Sequence, residues 1–334
     1  MSLIIKRLLN NSRHACGIPR LVEYNGQLAK HDSCILLKPI ILSTAIRSPV
    51  ILAAFWMLGT LSSLLILAIA ARELSATIST LQMITVRNAV GFVLICGLLQ
   101  GSGWKQLKTG QPGTHLVRSI SHLIAQYAWI LGLASIPMAE VFALEFSGPV
   151  WSVVIASVLL GEKINRFRVL TLVLGIIGVL TILRPGFRNP DPAMFIVIFS
   201  AVCFALANVL TKKLVVNNSP LSIIFYVTVI QFMITLIPTL AIWVVPDTRE
   251  WLWMVVMGVV AITAHYCFAR AFSYADAMVV IPMDFLRLPL AGIMGWLLYQ
   301  ESLDVFVILG ALIMFSGNLI GINAEKRRLN TNIE

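Results

Sequence analysis

The chain has 334 residues, of which 58% are hydrophobic and only 12% charged, with a mean hydropathy of +0.89. A soluble globular domain carries about twice that share of charged residues, so the composition excludes one and defines an all-α polytopic membrane protein. The net charge of +10 would suggest nucleic acid in a soluble chain, but here the basic residues gather in loops and at the ends as an orientation signal, and no nucleic-acid partner is expected.

Residues 1–47 are basic and of mixed polarity, with Lys6, Arg7, Arg13, Arg20, Lys30, Lys38 and Arg47 against Glu23 and Asp32. The apolar patch SLII is too short for the hydrophobic region of a cleavable signal, so none is expected. The segment reads as a basic cytoplasmic extension. From Pro49 onward ten apolar spans of about 17–25 residues follow, the length a hydrocarbon core requires. They cover roughly 49–71, 78–99, 116–135, 138–160, 168–183, 193–215, 221–245, 251–272, 275–299 and 304–322. Connections such as SIPM at 135–138 leave no room for a soluble domain between spans.

With the amino terminus in the cytoplasm, the inner loops and ends collect those seven residues plus Lys105, Lys108, Arg118, Lys163, Arg166, Arg168, Lys212, Lys213, Arg270, Lys326, Arg327 and Arg328. The outer side holds Arg72, Arg184, Arg188 and Arg249. This bias places both termini in the cytoplasm. The five cysteines, Cys16, Cys34, Cys96, Cys203 and Cys267, form no CxxC and read as small apolar residues rather than a disulfide or metal framework.

Displacing the chain by 139 sets Ala125-Gln126-Tyr127 on Ala264-His265-Tyr266, Glu145 on Asp284, Glu162 on Glu301 and Gly178 on Gly317, and a displacement of 140 sets Leu81 on Leu221. Each unit holds five spans, an odd number, so the second enters the membrane upside down. The expected fold is therefore ten transmembrane helices as two inverted five-helix repeats, over 48–184 and 190–323, with a cytoplasmic tail at 324–334. Inverted repeats of this kind are found in carriers whose substrate site lies where the halves meet.

The stretches GPVWSVVIASVLLGEKINRFRVLTLVLGIIGVLTILRPG (148–186) and ARAFSYADAMVVIPMDFLRLPLAGIMGWLLYQE (269–301) resemble the two repeats of the drug/metabolite transporter superfamily, in particular its EamA-type carriers. The resemblance covers roughly residues 49–322. It implies a ten-helix carrier of the inner membrane that moves small metabolites by alternating access without ATP hydrolysis. The second repeat also resembles carriers for S-adenosylmethionine uptake, and more loosely those for riboflavin and amino acids. It ends in Gln300-Glu301 where the first ends in Gly161-Glu162, so the halves have diverged.

The chemistry nameable from sequence lies in the intramembrane polar residues. The stretch 279–301 carries Asp284 and Arg287 between Pro282 and Pro289. Charges at the centre of a membrane helix cost about 2.5–3.5 kcal/mol each on insertion scales and usually face a bundle interior or an aqueous cavity, and the prolines each remove a backbone donor. A broken helix lining a polar pathway is expected there. Across the other spans lie Arg87, Asn88, His122, Gln126, Glu145, Asn208, Gln231 and His265. The deep ions Arg87, Arg287, Glu145 and Asp284 balance in charge. In the functional reading the arginines hold an anionic group of the substrate, while Glu145 and Asp284 meet a cationic group or a coupling proton, with Glu145 favoured because no arginine is near it in sequence. His122, Gln126, Asn208 and His265 complete the expected set, with Tyr127 and Tyr266 to stack on a flat solute. The structural alternative is that the ions pair across helices, the amides and histidines are interhelical glue, and the tyrosines pack. Gly317 and Gly321 form a GxxxG that serves either close packing or a homodimer. Glu162 and Glu301, at helix carboxyl ends, are expected to pair with a neighbouring helix start.

No metal or cofactor is expected, since neither histidine has metal-ligand spacing. No GxxxxGK[ST], HExxH or GxSxG occurs, so the chain is not expected to be an enzyme. The most concrete reading is a secondary carrier for a small polar or amphoteric metabolite, with a proton or an exchanged metabolite as coupling partner. The alternatives are a membrane-embedded sensor or assembly partner, and an intramembrane protease using Asp284 and Glu145.

Overall fold

The computed structural model describes residues 49–161, 166–186, 189–275 and 277–331. The basic extension, Glu162 and the three last residues lie outside the described residues. Twelve α-helices follow in order: α1 Pro49–Leu74, α2 Thr80–Ser102, α3 Pro112–Ser135, α4 Met138–Glu145, α5 Gly148–Leu160, α6 Arg166–Leu183, α7 Pro192–Leu214, α8 Pro220–Ala241, α9 Thr248–Tyr274, α10 Ala277–Asp284, α11 Arg287–Tyr299 and α12 Val305–Thr331. There is no β-sheet among the described residues. Seven helical stretches are long and apolar enough to cross a membrane, counting Met138–Leu160 as one, and Phe167–Leu183 is a shorter apolar helix. The third expected span is α3, whose polar stripe sets it apart from the others. The ninth is the pair α10 and α11. The last helix runs on past the expected end of its span, through the helix-favouring stretch AEKRRLN, to Thr331.

The helix starts follow from local sequence. Ser79 and Ser219, 140 residues apart, cap α2 and α8 by accepting from the Gln82 and Ser222 backbone N–H at 3.3 and 3.1 Å. Asp191 caps α7 ahead of Pro192, and Asp247 forms a reciprocal capping box with Glu250 at the start of α9.

The two interrupted crossings show the repeat most clearly. Both ends of α10 and of α11 lie 139 residues after the matching ends of α4 and α5. Each pair is broken by the same chemistry. Pro149 and Pro289 lack the N–H that would bond the carbonyls of Glu145 and Phe285 four residues back, so the ladder opens there. The backbone closes instead through short turns, Ser147 N to Leu144 O and Leu288 N to Phe285 O, both at 3.1 Å. The helices then end alike: Gly161 and Gln300 both take the left-handed conformation, with φ of 66° and 55°.

Packing has a matching symmetry. The helix α1 lies on α9 and its repeat equivalent α7 lies on α3, while α2 pairs with α8 and α6 with α12. In the last pair Gly178 and Gly310 face each other, and Thr171 of α6 donates to the Gly317 carbonyl at 2.9 Å and abuts Gly321. The GxxxG is thus occupied by a contact within the chain, which only small residues allow because the backbones touch. Cys267 packs against Gly59, and Cys96, Cys203 and Cys267 are free.

The buried apolar core is one-sided. It draws on the carboxyl-terminal halves of α1 and α3, all of α4, and the amino-terminal halves of α2, α7, α9 and α12, with Phe142, Leu133, Met138, Met254, Val307 and Met314 almost or wholly inaccessible. Those halves share the end of the bundle that carries Arg72, Arg184 and Arg249. The opposite end, with Lys105, Lys108, Lys212 and Lys213, has a smaller cluster of its own, Met57, Ala271 and Val280, and also buries Ile95, Leu99 and Leu214. The outer faces expose Phe55, Val158, Ile237 and Trp296, the apolar surface a lipid-facing protein presents.

Gln300 lacks the glycine that its counterpart Gly161 supplies. A side chain in the left-handed region costs about 1 kcal/mol, so Gln300→Gly should raise the melting temperature of the purified protein by a few degrees, measured by thermal unfolding in detergent.

Candidate functional site

Toward the lysine-rich end, the bundle holds a cavity of about 200 Å³ between α2, α3, α8 and α9. Its polar wall is Arg87 and Asn88 from α2, Arg118, His122 and Gln126 from α3, Gln231 from α8 and His265 from α9, and its rim reaches Thr211, Val215 and Pro220. The α3 contribution follows from helical geometry, since residues 118, 122 and 126 recur every four positions and fall on one face. His122 is the centre of a buried network: its Nδ1 lies 2.9 Å from Gln126 Nε2 and 3.1 Å from Gln231 Nε2, and Gln231 also donates to the Ser119 carbonyl at 3.1 Å. Arg118 Nε donates to Thr211 Oγ1 at 3.0 Å. The His265 ring stands 6.5 Å from that of His122. Four polar atoms of this wall are buried without a partner among the described residues: Arg87 Nε, Asn88 Nδ2, Arg118 Nη1 and Gln126 Oε1. Each such group costs about 1–3 kcal/mol when left dry, so the cavity is built for water or a polar solute.

One turn further along α3, a second polar centre sits where the half-helices break. Arg287, at the start of α11, places Nη1 3.2 Å from Glu145 Oε1 and Nη2 3.5 Å from Asp284 Oδ2. Trp129 Nε1 donates to the other Glu145 oxygen at 2.9 Å. The guanidinium lies over the rings of Phe142 and Phe146, at 5.0 and 4.9 Å, and Phe146 stacks on Phe285 with centroids 4.1 Å apart. The repeat explains the meeting. Glu145 and Asp284 are equivalent, each ends the first half of a broken helix, and the two breaks converge on a single cation.

The far end of the bundle is tied shut. Glu301 pairs with Arg72 at 2.6 Å and accepts from the Met138 backbone N–H, the first residue of α4, at 2.9 Å. This is the pairing with a neighbouring helix start expected of it. Around it Arg249 bridges to Glu73 at 2.8 Å, Tyr299 donates to Glu73 at 3.1 Å, Arg184 pairs with Asp304, and Gln82 bonds both the N–H and the carbonyl of Val244.

Of the residues singled out by sequence, Arg87, His122, Gln126 and His265 meet in the cavity, and Glu145, Asp284 and Arg287 meet in the ion cluster. The expectation that Glu145 is remote from arginine does not hold in space, because Arg287 reaches it across 142 positions of sequence. Tyr127 is exposed on the outer face of α3, and Tyr266, 55% exposed, lies edge-on to Trp56 at 5.7 Å. Asn208 is exposed and lines a separate groove with Ser152, Arg168 and Lys212. Neither tyrosine nor Asn208 borders the cavity. The residue sequence reasoning passed over is Arg118, counted only as an orientation charge. Its place four residues before His122, on the face that continues to Gln126, was the available signal. Asn88 and Gln231 were named as intramembrane polar groups but left out of the expected site.

A helical bundle with paired broken helices and a polar-walled cavity is an architecture suited to a membrane transporter. The model of the EamA-like transporter family matches twice, over residues 51–184 and 191–322, and the chain belongs to that family. Similar relatives include an S-adenosylmethionine uptake transporter of Rickettsia prowazekii, 28% identical across 70% of this chain and 79% of the relative. A riboflavin transporter of Brucella anthropi is 29% identical across 69% and 83%, and a pseudopaline exporter of Pseudomonas aeruginosa 27% identical across 73% and 86%. One solved protein crystal structure superposes with a TM-score of 0.58 over 82% of this chain and 98% of its own at 15% identity, a likeness of fold. The matches agree with the drug/metabolite transporter superfamily.

The ion cluster predicts a specific stability pattern. Arg287→Gln leaves two partly buried carboxylates, 20% and 21% exposed, on no cation and should destabilise the protein by about 1–3 kcal/mol. Adding Glu145→Gln and Asp284→Asn to it should restore much of the loss, as read from thermal unfolding and from the monodisperse fraction in detergent.

Proposed function

We propose that this protein is a secondary carrier that crosses the inner membrane ten times, as two five-helix repeats of opposite orientation, and moves a small polar or amphoteric metabolite by alternating access. Both termini lie in the cytoplasm in this reading. The observation that carries it is the asymmetry of the bundle: a polar cavity toward the end rich in lysine, with the larger apolar core and a belt of ion pairs at the other. By the positive-inside rule the lysine-rich end is cytoplasmic, so this arrangement corresponds to an inward-facing state.

Alternating access then requires the Arg72–Glu301, Arg249–Glu73 and Arg184–Asp304 pairs to part while the inner halves of the helices close. The Arg249–Glu73 pair, its arginine 73% exposed, contributes about 1 kcal/mol or less, while the more buried Arg72–Glu301 and Arg184–Asp304 pairs must gain water or other partners as they part. The repeat supports such a motion, because two equivalent halves can exchange the roles of open and closed end. Solute binds at Arg87, His122, Gln126 and His265, with Arg118, Asn88 and Gln231 beside them. Glu145 and Asp284 share one guanidinium, so with both ionised the cluster carries a net negative charge in an apolar setting. Taking up one proton neutralises it, which makes this pair the candidate for proton coupling. The names of the relatives make S-adenosylmethionine, riboflavin and pseudopaline the first solutes to test.

The test is flux of labelled solute into or out of vesicles containing the purified chain. Arg87→Ala should lower flux at least about tenfold, equivalent to about 1.4 kcal/mol, with the melting temperature of the protein unchanged. Undiminished flux in that variant would overturn the site, and empty traces with all three solutes would overturn the carrier.

A further inference from the structure

The cavity wall is electrically one-sided. Arg87 and Arg118 bring two guanidinium groups to it, and among the described residues no carboxylate lines it. The nearest acids named above, Glu145 and Asp284, are engaged by Arg287 in the neighbouring cluster. Arg87 makes no ion pair or hydrogen bond among the described residues, and Arg118 has a single hydroxyl partner, Thr211. Their buried atoms Arg87 Nε and Arg118 Nη1, together with Asn88 Nδ2, are all N–H donors without an acceptor. A guanidinium can neither lose its charge at physiological pH nor accept a hydrogen bond, so the missing partner must bring negative charge and acceptor oxygens.

Resting on the carrier reading and deepening it, we infer that the solute is an oxyanion: it carries a carboxylate or phosphate group that docks between Arg87 and Arg118 and takes up the free donors of Arg87, Arg118 and Asn88. Arginine is suited to this because its fork of N–H groups matches two oxygens of one carboxylate or phosphate. The remaining wall, with the His122–Gln126–Gln231 network and His265, offers neutral hydrogen-bonding groups for the rest of the molecule. The cavity is smaller than the about 300–1,000 Å³ of drug-sized sites, so it takes a small solute or the charged end of a larger one. A solute that is cationic throughout meets two guanidinium groups with only the Gln126 Oε1 acceptor left open to it, and a zwitterion docks through its anionic group.

The experiment reads binding rather than flux. The full chain in detergent is unfolded thermally with matched probes at millimolar concentration: succinate against succinamide for the carboxylate, and AMP against adenosine for the phosphate, with sodium chloride as the control. Succinate, AMP or both should raise the melting temperature by about 3 °C at ten times their Kd, and their neutral partners and chloride should not. Which of the two acts separates a carboxylate site from a phosphate site. Arg87→Gln and Arg118→Gln should each abolish the shift, while Arg87→Lys and Arg118→Lys, which keep the charge, should retain part of it. Equal shifts from succinamide, adenosine or chloride would overturn the inference, as would a shift that persists in the double glutamine variant or the lack of any shift from both anions. A failure here leaves the carrier reading standing on vesicle flux, whereas binding without flux would sink the carrier and keep the oxyanion site.

Discussion

The structure depends on Arg287 and the two carboxylates it holds. Inside a hydrocarbon layer no water compensates a charge or an open backbone carbonyl, and each of the two broken helices carries both liabilities at one place. Glu145 and Asp284 end half-helices whose ladders are opened by Pro149 and Pro289. Bringing both breaks to a single guanidinium, roofed by Phe142 and Phe146 and steadied by the Trp129 indole, partly neutralises the charges and keeps the interruptions inside protein. Remove that cation and both breaks are left holding a carboxylate with no counter-charge.

From this centre the bundle divides into two chemically different ends. Toward Arg72 and Glu301 the helices meet through a dry core and a ring of ion pairs. Toward Lys212 and Lys213 the same helices diverge around Arg87, Arg118 and the His122 network. The close approach of α6 and α12 at Gly178 and Gly310, and the matched contacts of α1 with α9 and α7 with α3, hold the frame on which the two ends differ. A protein selected for stability alone would not keep unpartnered guanidinium and amide atoms in a buried wall. The ion cluster pairs its charges within the chain and leaves only Nε of Arg287 without a partner, whereas Arg87 meets no carboxylate among the described residues, which separates the part of the polar interior that serves the fold from the part proposed to serve a solute.

The broken crossings also set what a transport cycle can use. Half-helices pivot at the Phe146–Ser147 and Phe285–Leu286 turns more readily than a continuous helix bends, and both turns touch the shared arginine. In the proposed carrier a change in the charge of Glu145 or Asp284 would therefore be felt at the two joints at once. The helix α3 spans both centres, presenting His122 and Gln126 on successive turns to the cavity and Trp129 to Glu145.

Much of this was written in the chain itself. Hydropathy and span length dictate a helical membrane protein, because a bilayer tolerates little else of that composition, and the 139-residue displacement, the prolines and the capping serines locate the repeat and its breaks, because these are local effects of backbone chemistry. Family membership follows from the same patterns. What no local pattern could decide is which buried charges face each other. Glu145 and Arg287 stand 142 positions apart, with nothing local to show which of the balancing ions each one meets; Tyr127 and Tyr266 share the polar helices but turn away from the cavity; and Arg118, which in sequence reads only as an orientation charge, lines it. A side chain's partner depends on how whole helices rotate and cross, which is fixed by packing across the bundle, and only the tertiary structure therefore distinguishes a charge already neutralised from one still waiting for its solute.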